Sequence, residues 1–458
     1  MKKKARLVFV PAPGFSHLVP TIEFAKRLIH QDDRFSITIL IMNHLLDPNS
    51  LTYLPTIAAT EPSIKLIDLP QADPPSPELS KYPETYFCTW MDNYKPHVKH
   101  VIAELSSDSI ELTRLVLVLD FHTIPMVEVG NEFGIQSYLF MTSGAAFLGL
   151  MLYLPTRHDD RVDTELNDSG PEWDIPGFVN PVPIRVLPKP FFNKEDGYPV
   201  TMKLAQRFKD VKGIIVNTYM EMESYALTSF LIAPPIYPIG PVISLKSGTH
   251  LSPNHIINWL DDQPPSSVVF LCFGSRGNLS EPQVKEVAIG LENGGFRFLW
   301  SLRVGPNDDD LLPKGFLERT RGNGIVCGWV PQIEILGHKG IGAFVSHCGW
   351  NSILESLWFG VPIVTWPLFA EQQLNAFKLV KELGLAVEMK LEYRSNGGDD
   401  ELVLADEIEK KIRCGMEGDS DVRKRVREMG ERSRMAVMEG GSSFIYLGRL
   451  IEDMVGNT

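Results

Sequence analysis

Cysteine is scarce in this 458-residue chain: there are five, Cys88, Cys272, Cys327, Cys348 and Cys414, and no pair has zinc-finger spacing. Isolated thiols exclude a disulfide scaffold and fit a reducing compartment, so a cytoplasmic location is expected. Basic charge is also short, with 44 Lys+Arg against 57 Asp+Glu and a net charge of −13. A chain with that balance repels polyanions, which excludes nucleic acid and anionic membrane as general partners. A phosphate-bearing small ligand stays open to it, through some local feature.

Long apolar runs are missing as well. The uncharged stretch 138–154 is at the short limit for a membrane span, is interrupted by Thr142-Ser143-Gly144 and has no basic flank after it. It reads as a buried strand (136–141), a turn, and a buried helix (143–154) ended by Pro155, so no integral membrane segment is expected. At the N-terminus the basic residues 2–6 pass straight into Leu7-Val8-Phe9-Val10 and Pro11, which reads as a first strand rather than a signal peptide. The segment that follows, Pro11-Ala12-Pro13-Gly14-Phe15-Ser16, lacks the GxGxxG pattern and excludes a dinucleotide-binding oxidoreductase.

What is present is an ordinary globular balance, 44% apolar and 22% charged, over a length that suits two or three domains. Continuous Val/Ile/Leu runs at 6–10, 36–42, 115–119, 213–217 and 236–239 alternate with helical stretches such as 17–29. The pattern restarts at 268–273, with further strands at 296–301, 324–327, 341–346 and 362–365 and a helix at 281–293. Runs apolar on both faces indicate parallel sheets covered by helices, an α/β protein of two Rossmann-like halves. The Pro/Gly-punctuated stretch around 234–253 separates them: a first domain over 1–240, a linker at 241–253, a second domain over 254–441, and an amphipathic tail helix at 442–458 able to cover either. Long Pro-rich loops at 70–83 and 155–199 suit pocket walls. In such folds ligands bind at the carboxyl ends of the strands.

Two constellations carry chemistry. In the first, His17 opens a helix after the first strand, and Asp120 ends a later one, so both reach one sheet edge. A carboxylate on one imidazole nitrogen fixes the tautomer and raises basicity, and the other nitrogen then accepts a proton. Taken singly, a histidine at that place is more often a helix cap or a surface residue. His122 is the nearest rival. In the second, strand 341–346 runs into His347-Cys348-Gly349-Trp350-Asn351-Ser352 and a helix. Gly349 allows close backbone approach, Asn351 or Ser352 is expected to cap the helix, and a helix N-terminus favours an anion. Asp308-Asp309-Asp310 formally matches a metal-binding DxD, but it follows Gly305-Pro306-Asn307 and reads as a solvated loop.

The 44 residues from Trp329 to Gln372, opening Trp329-Val330-Pro331-Gln332, carrying HCGWNS in the middle and closing Glu371-Gln372, resemble the signature box of plant family-1 UDP-glycosyltransferases. The PAPGFSH segment, the strand ending in Asp120 and Phe273-Gly274-Ser275 extend the resemblance along the chain. It implies a GT-B fold, two Rossmann-like domains facing across a cleft, with acceptor held mainly by the first and UDP-sugar mainly by the second. By the same resemblance His17 and Asp120 are the catalytic dyad. Trp329 stacks on uracil, Val330 bonds the base through its main chain, and Gln332 and Glu355 hold the ribose. His347, Gly349, Asn351, Ser352 and Ser275 meet the diphosphate, and Trp350, Glu371, Gln372 and Thr142 meet the sugar. Inverting transfer of glucose from UDP-glucose to a hydroxyl follows, giving a β-O-glucoside with no metal and no cofactor beyond the co-substrate.

Gln372 resembles glucose-using members. Glu371 stands where many members have Asp, and Arg276 follows FGS where an uncharged residue is common; it either adds charge near the diphosphate or points to solvent. Phe15, Trp90, Phe121, Phe147, Phe178, Leu187 and Phe369 are candidate walls for a lipophilic acceptor such as a flavonoid, another phenolic or a terpenoid. A monomer is expected. The rival readings are a GT-B enzyme using another UDP-sugar, a UDP-sugar epimerase, and a non-catalytic binding protein.

Overall fold

The computed structural model describes residues 4–107, 113–160, 172–230, 233–245, 254–302, 311–393 and 402–456. The chain divides into two compact units. The first comprises Met1–Pro181, Lys189–Ser244 and Met435–Thr458, and the second Val182–Pro188 and Leu245–Arg434. The stretch expected to link two domains, 241–253, lies largely outside the described residues.

In the first unit, β1 (Lys4–Val10), β2 (Phe35–Ile41), β3 (Ile64–Asp68), β4 (Thr113–Asp120), β5 (Gln136–Met141), β6 (Gly213–Val216) and β7 (Ile236–Pro238) form a seven-stranded sheet in the order 3-2-1-4-5-6-7. Its pairings are parallel. One face buries Leu7, Phe9, Ile37, Ile39, Val116 and Val118 against the helix Phe15–Gln31. Residues of opposite pleat, Val8, Leu40 and Leu117, are equally inaccessible, as strands covered on both sides require.

The second unit repeats the plan with β8 (Val268–Cys272), β9 (Arg297–Ser301), β10 (Gly324–Cys327), β11 (Ile341–Ser346), β12 (Ile363–Thr365) and β13 (Ala386–Glu388), in the order 10-9-8-11-12-13. Its pairings are parallel too. Val269, Leu271, Phe298, Trp300, Val345 and Val364 share one core. These are the two Rossmann-like domains of a GT-B protein.

One local expectation is revised, and two features are added to the sequence reading. The helix expected to stop at Pro155 runs from Ala145 to Asp160 with Pro155 inside it. One missing N–H removes one intrahelical bond and need not end a helix whose next turn is otherwise held. The short strands β3 and β13 lie at or near sheet edges and gave no long apolar run. The tail helix Ser442–Val455 belongs to the first unit, where Leu447, Leu450, Ile451, Met454 and Val455 enter its core. Among the described residues no helix is long and apolar enough to cross a membrane.

Candidate functional site

Strand order in each sheet reverses once. In the first unit the reversal lies between β1 and β4, and in the second between β8 and β11. The helices after two neighbouring strands then leave on opposite faces, opening a crevice at the carboxyl ends. Both constellations sit at these reversals.

At the first, β1 ends at Val10 beside Leu119 of β4, so the loop after β1 meets the end of β4. His17 follows in the first turn of the helix Phe15–Gln31, and its Nδ1 stands 2.9 Å from Oδ2 of Asp120. The imidazole is a quarter exposed while Asp120 is buried. Burial alone pushes the Asp120 carboxyl up, but the charge and hydrogen bond of His17, aided by His122, outweigh it and hold the carboxyl below its ordinary range. Thr123 braces the turn: its hydroxyl accepts from the Asp120 N–H at 2.9 Å and donates to the Val10 carbonyl at 2.6 Å. Thr142, at the end of β5, places Oγ1 3.3 Å from the same Nδ1. His122 meets Asp120 through its main-chain N–H, which donates to Oδ1 at 3.1 Å.

Aromatic rings gather round this pair. The His122 ring lies 5.7 Å from that of His17, 5.1 Å from Phe87 and 4.8 Å from Phe121. Phe121 in turn lies 6.0 Å from Phe147. Phe15 packs edge-on to Tyr53 and Trp90 to Tyr86. Of the other proposed walls, Phe178 is packed into the interior of the first unit, while buried Leu187 and part-exposed Phe369 belong to the second. Phe87 was not singled out from sequence. Its signal is spacing: it lies three residues before Trp90 on the helix Pro83–Asn93.

At the second reversal, β11 ends at Ser346 beside Cys272 of β8, bringing Phe273-Gly274-Ser275 to His347-Cys348-Gly349. Glycine is required twice here. A Cβ on Gly274 or on Gly349 would stand 2.5 Å from Nε2 of His347, and Gly274 has φ 76°. Burial drives His347 down to about 4, against an opposing hydrogen bond that the ring donates to the Cys272 main chain, so the ring is neutral near pH 7. Cys348 takes φ 61°, with its N–H on Ser346 Oγ at 3.1 Å and its carbonyl accepting from Asn375 Nδ2 at 3.1 Å. That unusual φ and the Asn375 brace were not legible locally.

The expected side-chain cap is not there. The helix Trp350–Trp358 starts from Gly349, without a side-chain cap, and Asn351 and Ser352 lie within its first turn. Ser352 instead accepts from Gln332 Nε2 at 2.8 Å, and the same nitrogen donates to Glu355 at 2.7 Å. Burial raises the Glu355 carboxyl to about 7, the Gln332 bond opposing. Trp329 is 46% exposed beside buried Val330. Gln372 is buried, and its Oε1 accepts from the N–H groups of Leu368 and Phe369 at 2.9 and 3.1 Å, so its amide nitrogen is the end oriented for donation. Glu371 precedes it, immediately after Ala370 at φ 55°. Trp350 is buried, and Ser275 and Arg276 are exposed.

Asp308–Asp310 lies outside the described residues. Among the described residues no group of three His, Cys, Asp or Glu is placed to hold a metal ion.

Two Rossmann-like units, one with a His–Asp pair and one with a glycine-lined helix start, fit an enzyme of GT-B architecture. The family model "UDP-glucoronosyl and UDP-glucosyl transferase" matches residues 237–403. Over 99% of its length and 99% of the relative's, the chain is 50% identical to "UDP-glycosyltransferase 71K1" of Malus domestica. It is 45% identical to "Flavonol 3-O-glucosyltransferase UGT71C4" of Arabidopsis thaliana, covering 99% and 98%. Its structure resembles that of Medicago truncatula UGT71G1 complexed with UDP-glucose, with a TM-score of 0.92 at 46% identity over 99% and 98% of the two chains. The chain belongs to the plant UDP-glycosyltransferases.

Proposed function

We propose that this enzyme transfers glucose from UDP-glucose, with inversion, to a hydroxyl of a small lipophilic acceptor. The observation that carries the reading is the 2.9 Å bond between His17 Nδ1 and buried Asp120. With Nδ1 held by the carboxylate, Nε2 is the atom that takes the acceptor proton. The alkoxide or phenolate attacks the anomeric carbon of the α-linked sugar from the opposite face, the bond to UDP breaks, and a β-O-glucoside forms without a covalent enzyme intermediate. Trp329 and Val330 hold the uracil, and Gln332 and Glu355 the ribose. Ser275, His347, Asn351, Ser352 and the helix start at Gly349 take up the charge on the departing diphosphate. Trp350, Glu371, Gln372 and Thr142 hold the sugar. His17 and Asp120, with the rings about them, favour an enzyme over a binding protein.

Glucose is favoured by Gln372 and by the UDP-glucose complex of the Medicago truncatula relative. A phenolic acceptor of the flavonoid kind is favoured by the rings around His17 and by the flavonol 3-O-glucosyltransferase relative. We read the enzyme as metal-independent, monomeric and cytoplasmic.

The test is an assay with UDP-glucose, UDP-galactose and UDP-xylose against a mixed aglycone library, read by mass spectrometry, with His17→Ala alongside. The expected result is aglycone-dependent UDP release, highest with UDP-glucose, and loss of turnover by about 100-fold or more in His17→Ala on a weakly acidic alcohol. Conversion of UDP-glucose without acceptor, or near-normal turnover of the variant, would overturn the reading.

A further inference from the structure

Helices that carry the acceptor half of the site do not start from their own caps. The helix Phe15–Gln31 begins after Gly14, which has no side chain to offer. Its first N–H, that of Phe15, is taken at 2.8 Å by Oδ2 of Asp47, 32 residues on. The helix Pro83–Asn93 follows Tyr82, which makes no cap. There Asp196, fully buried and more than 100 residues away, accepts from Glu84 at 3.0 Å and Thr85 at 2.7 Å. The helix Ala145–Asp160 follows Gly144, and Glu223, 1% exposed, grips Ala145 and Ala146 with one oxygen each, at 2.8 and 2.9 Å. Glu223 sits in the helix Met220–Thr228 at a non-helical φ −124°, ψ 36°. By contrast, the Asp120 turn is capped by Asp120 itself, and the helix Pro48–Thr60 by Asp47.

The physical difference is what each cap fixes. A self-cap sets a helix start against its own preceding loop. A carboxylate from a distant segment satisfies the same N–H groups and complements the same dipole, but it also ties the helix start to another element. The first of these helices carries His17 two residues after the gripped Phe15. The second carries Phe87 and Trp90. The third carries Phe147 and follows Thr142, whose hydroxyl is 3.3 Å from His17 Nδ1. We propose that Asp47, Asp196 and Glu223 are positioning residues, three remote carboxylates that set His17, Thr142 and the aromatic wall in register. This rests on the proposed reaction, with His17 as base.

The substitutions Asp47→Asn, Asp196→Asn and Glu223→Gln keep shape and replace one accepting oxygen by a donating NH2, which opposes one gripped N–H. Each is made in the full chain and assayed at saturating UDP-glucose with a weakly acidic alcohol, a compact acidic phenol and a bulky acidic phenol. Thermal unfolding is followed in parallel. Asp47→Asn and Glu223→Gln are expected to lower kcat on the alcohol by about tenfold or more, with a smaller loss on the compact phenol, which needs less help from the base. Asp196→Asn is expected to change the ratio of kcat/KM between the bulky and compact phenols. In Asp47→Asn and Asp196→Asn the KM for UDP-glucose stays at its original value, whereas Glu223→Gln is expected to raise it through Thr142, which holds the sugar.

An equal loss on every acceptor, tracking a lower folded fraction, would overturn the proposal, as would a raised KM for UDP-glucose in Asp47→Asn or Asp196→Asn. Where a variant does not fold, Asp47→Ser, Asp196→Ser or Glu223→Asp is held to the same split. His17→Ala separates the two levels. If it loses alcohol turnover while the cap variants keep the original acceptor profile, the positioning roles fail and the reaction stands. If it retains alcohol turnover, the reaction reading fails, and the positioning roles with it.

Discussion

At the scale of the residue, charge is managed by burial and directed bonds. Glu355 illustrates the consequence. Its carboxyl is raised to about 7 from an ordinary 4.5, burial being the larger cause. The folded chain therefore keeps a proton that the unfolded chain gives up, and stability falls as pH rises between those values. Ribose hydroxyls donate, so they favour the ionised form. UDP-glucose affinity is expected to tighten as pH rises from about 5.5 to 8, with proton release, and Glu355→Gln is expected to bind more weakly and without that dependence. Calorimetry in buffers of differing ionisation enthalpy checks both. Gly274 makes a second case. A methyl group there would meet His347 at 2.5 Å and sit at φ 76°. Gly274→Ala is expected to cost about 1–2 kcal/mol from the backbone alone and to weaken UDP-glucose binding further by displacing the ring. Thermal unfolding and titration measure the two parts.

Elements were unevenly legible. Strands with long apolar runs, such as 341–346, announce themselves because both faces are buried. Those of three to five residues near a sheet edge, β3 and β13, do not. The tail helix was legible as amphipathic, but not what it covers. That is decided by its apolar face entering the core of the first unit and by Asp453, which accepts from Tyr138 at 2.7 Å and Tyr237 at 2.9 Å and pairs with Lys212. Its charge and bonds, after burial, push both phenols up. Replacing it by Asn weakens three partners at once. Asp453→Asn is expected to lose about 2–3 kcal/mol, read by denaturant unfolding, with KM for UDP-glucose little changed because the lost bonds all lie within the first unit.

At the scale of the whole molecule, the net charge of −13 and the single Lys of the signature box (Lys339) favour a diphosphate held by neutral donors and a helix start rather than by a positive field. Activity is accordingly expected to survive EDTA, and KM for UDP-glucose to change by less than about threefold between 50 and 300 mM salt. Loss of activity restored by manganese would contradict this.

The sequence by itself determined the parallel α/β class, the residue types of the site and their family, because buried strands, glycine turns and a 44-residue spacing are written locally. It also put His17 in the helix start after one strand and Asp120 at the end of another. Strand order was decided only by tertiary structure. Pairing β1 with β4, and β8 with β11, is what brings His17 to Asp120 and Gly274 to His347. Local pattern has a range of one helix turn or one strand, whereas these contacts span about 100 residues in one unit and 73 in the other. The remote carboxylates on the acceptor-side helices belong to the same class. Asp47, Asp196 and Glu223 look like solvated charges until the fold sets them against a helix start, Asp196 and Glu223 buried and Asp47 half-buried.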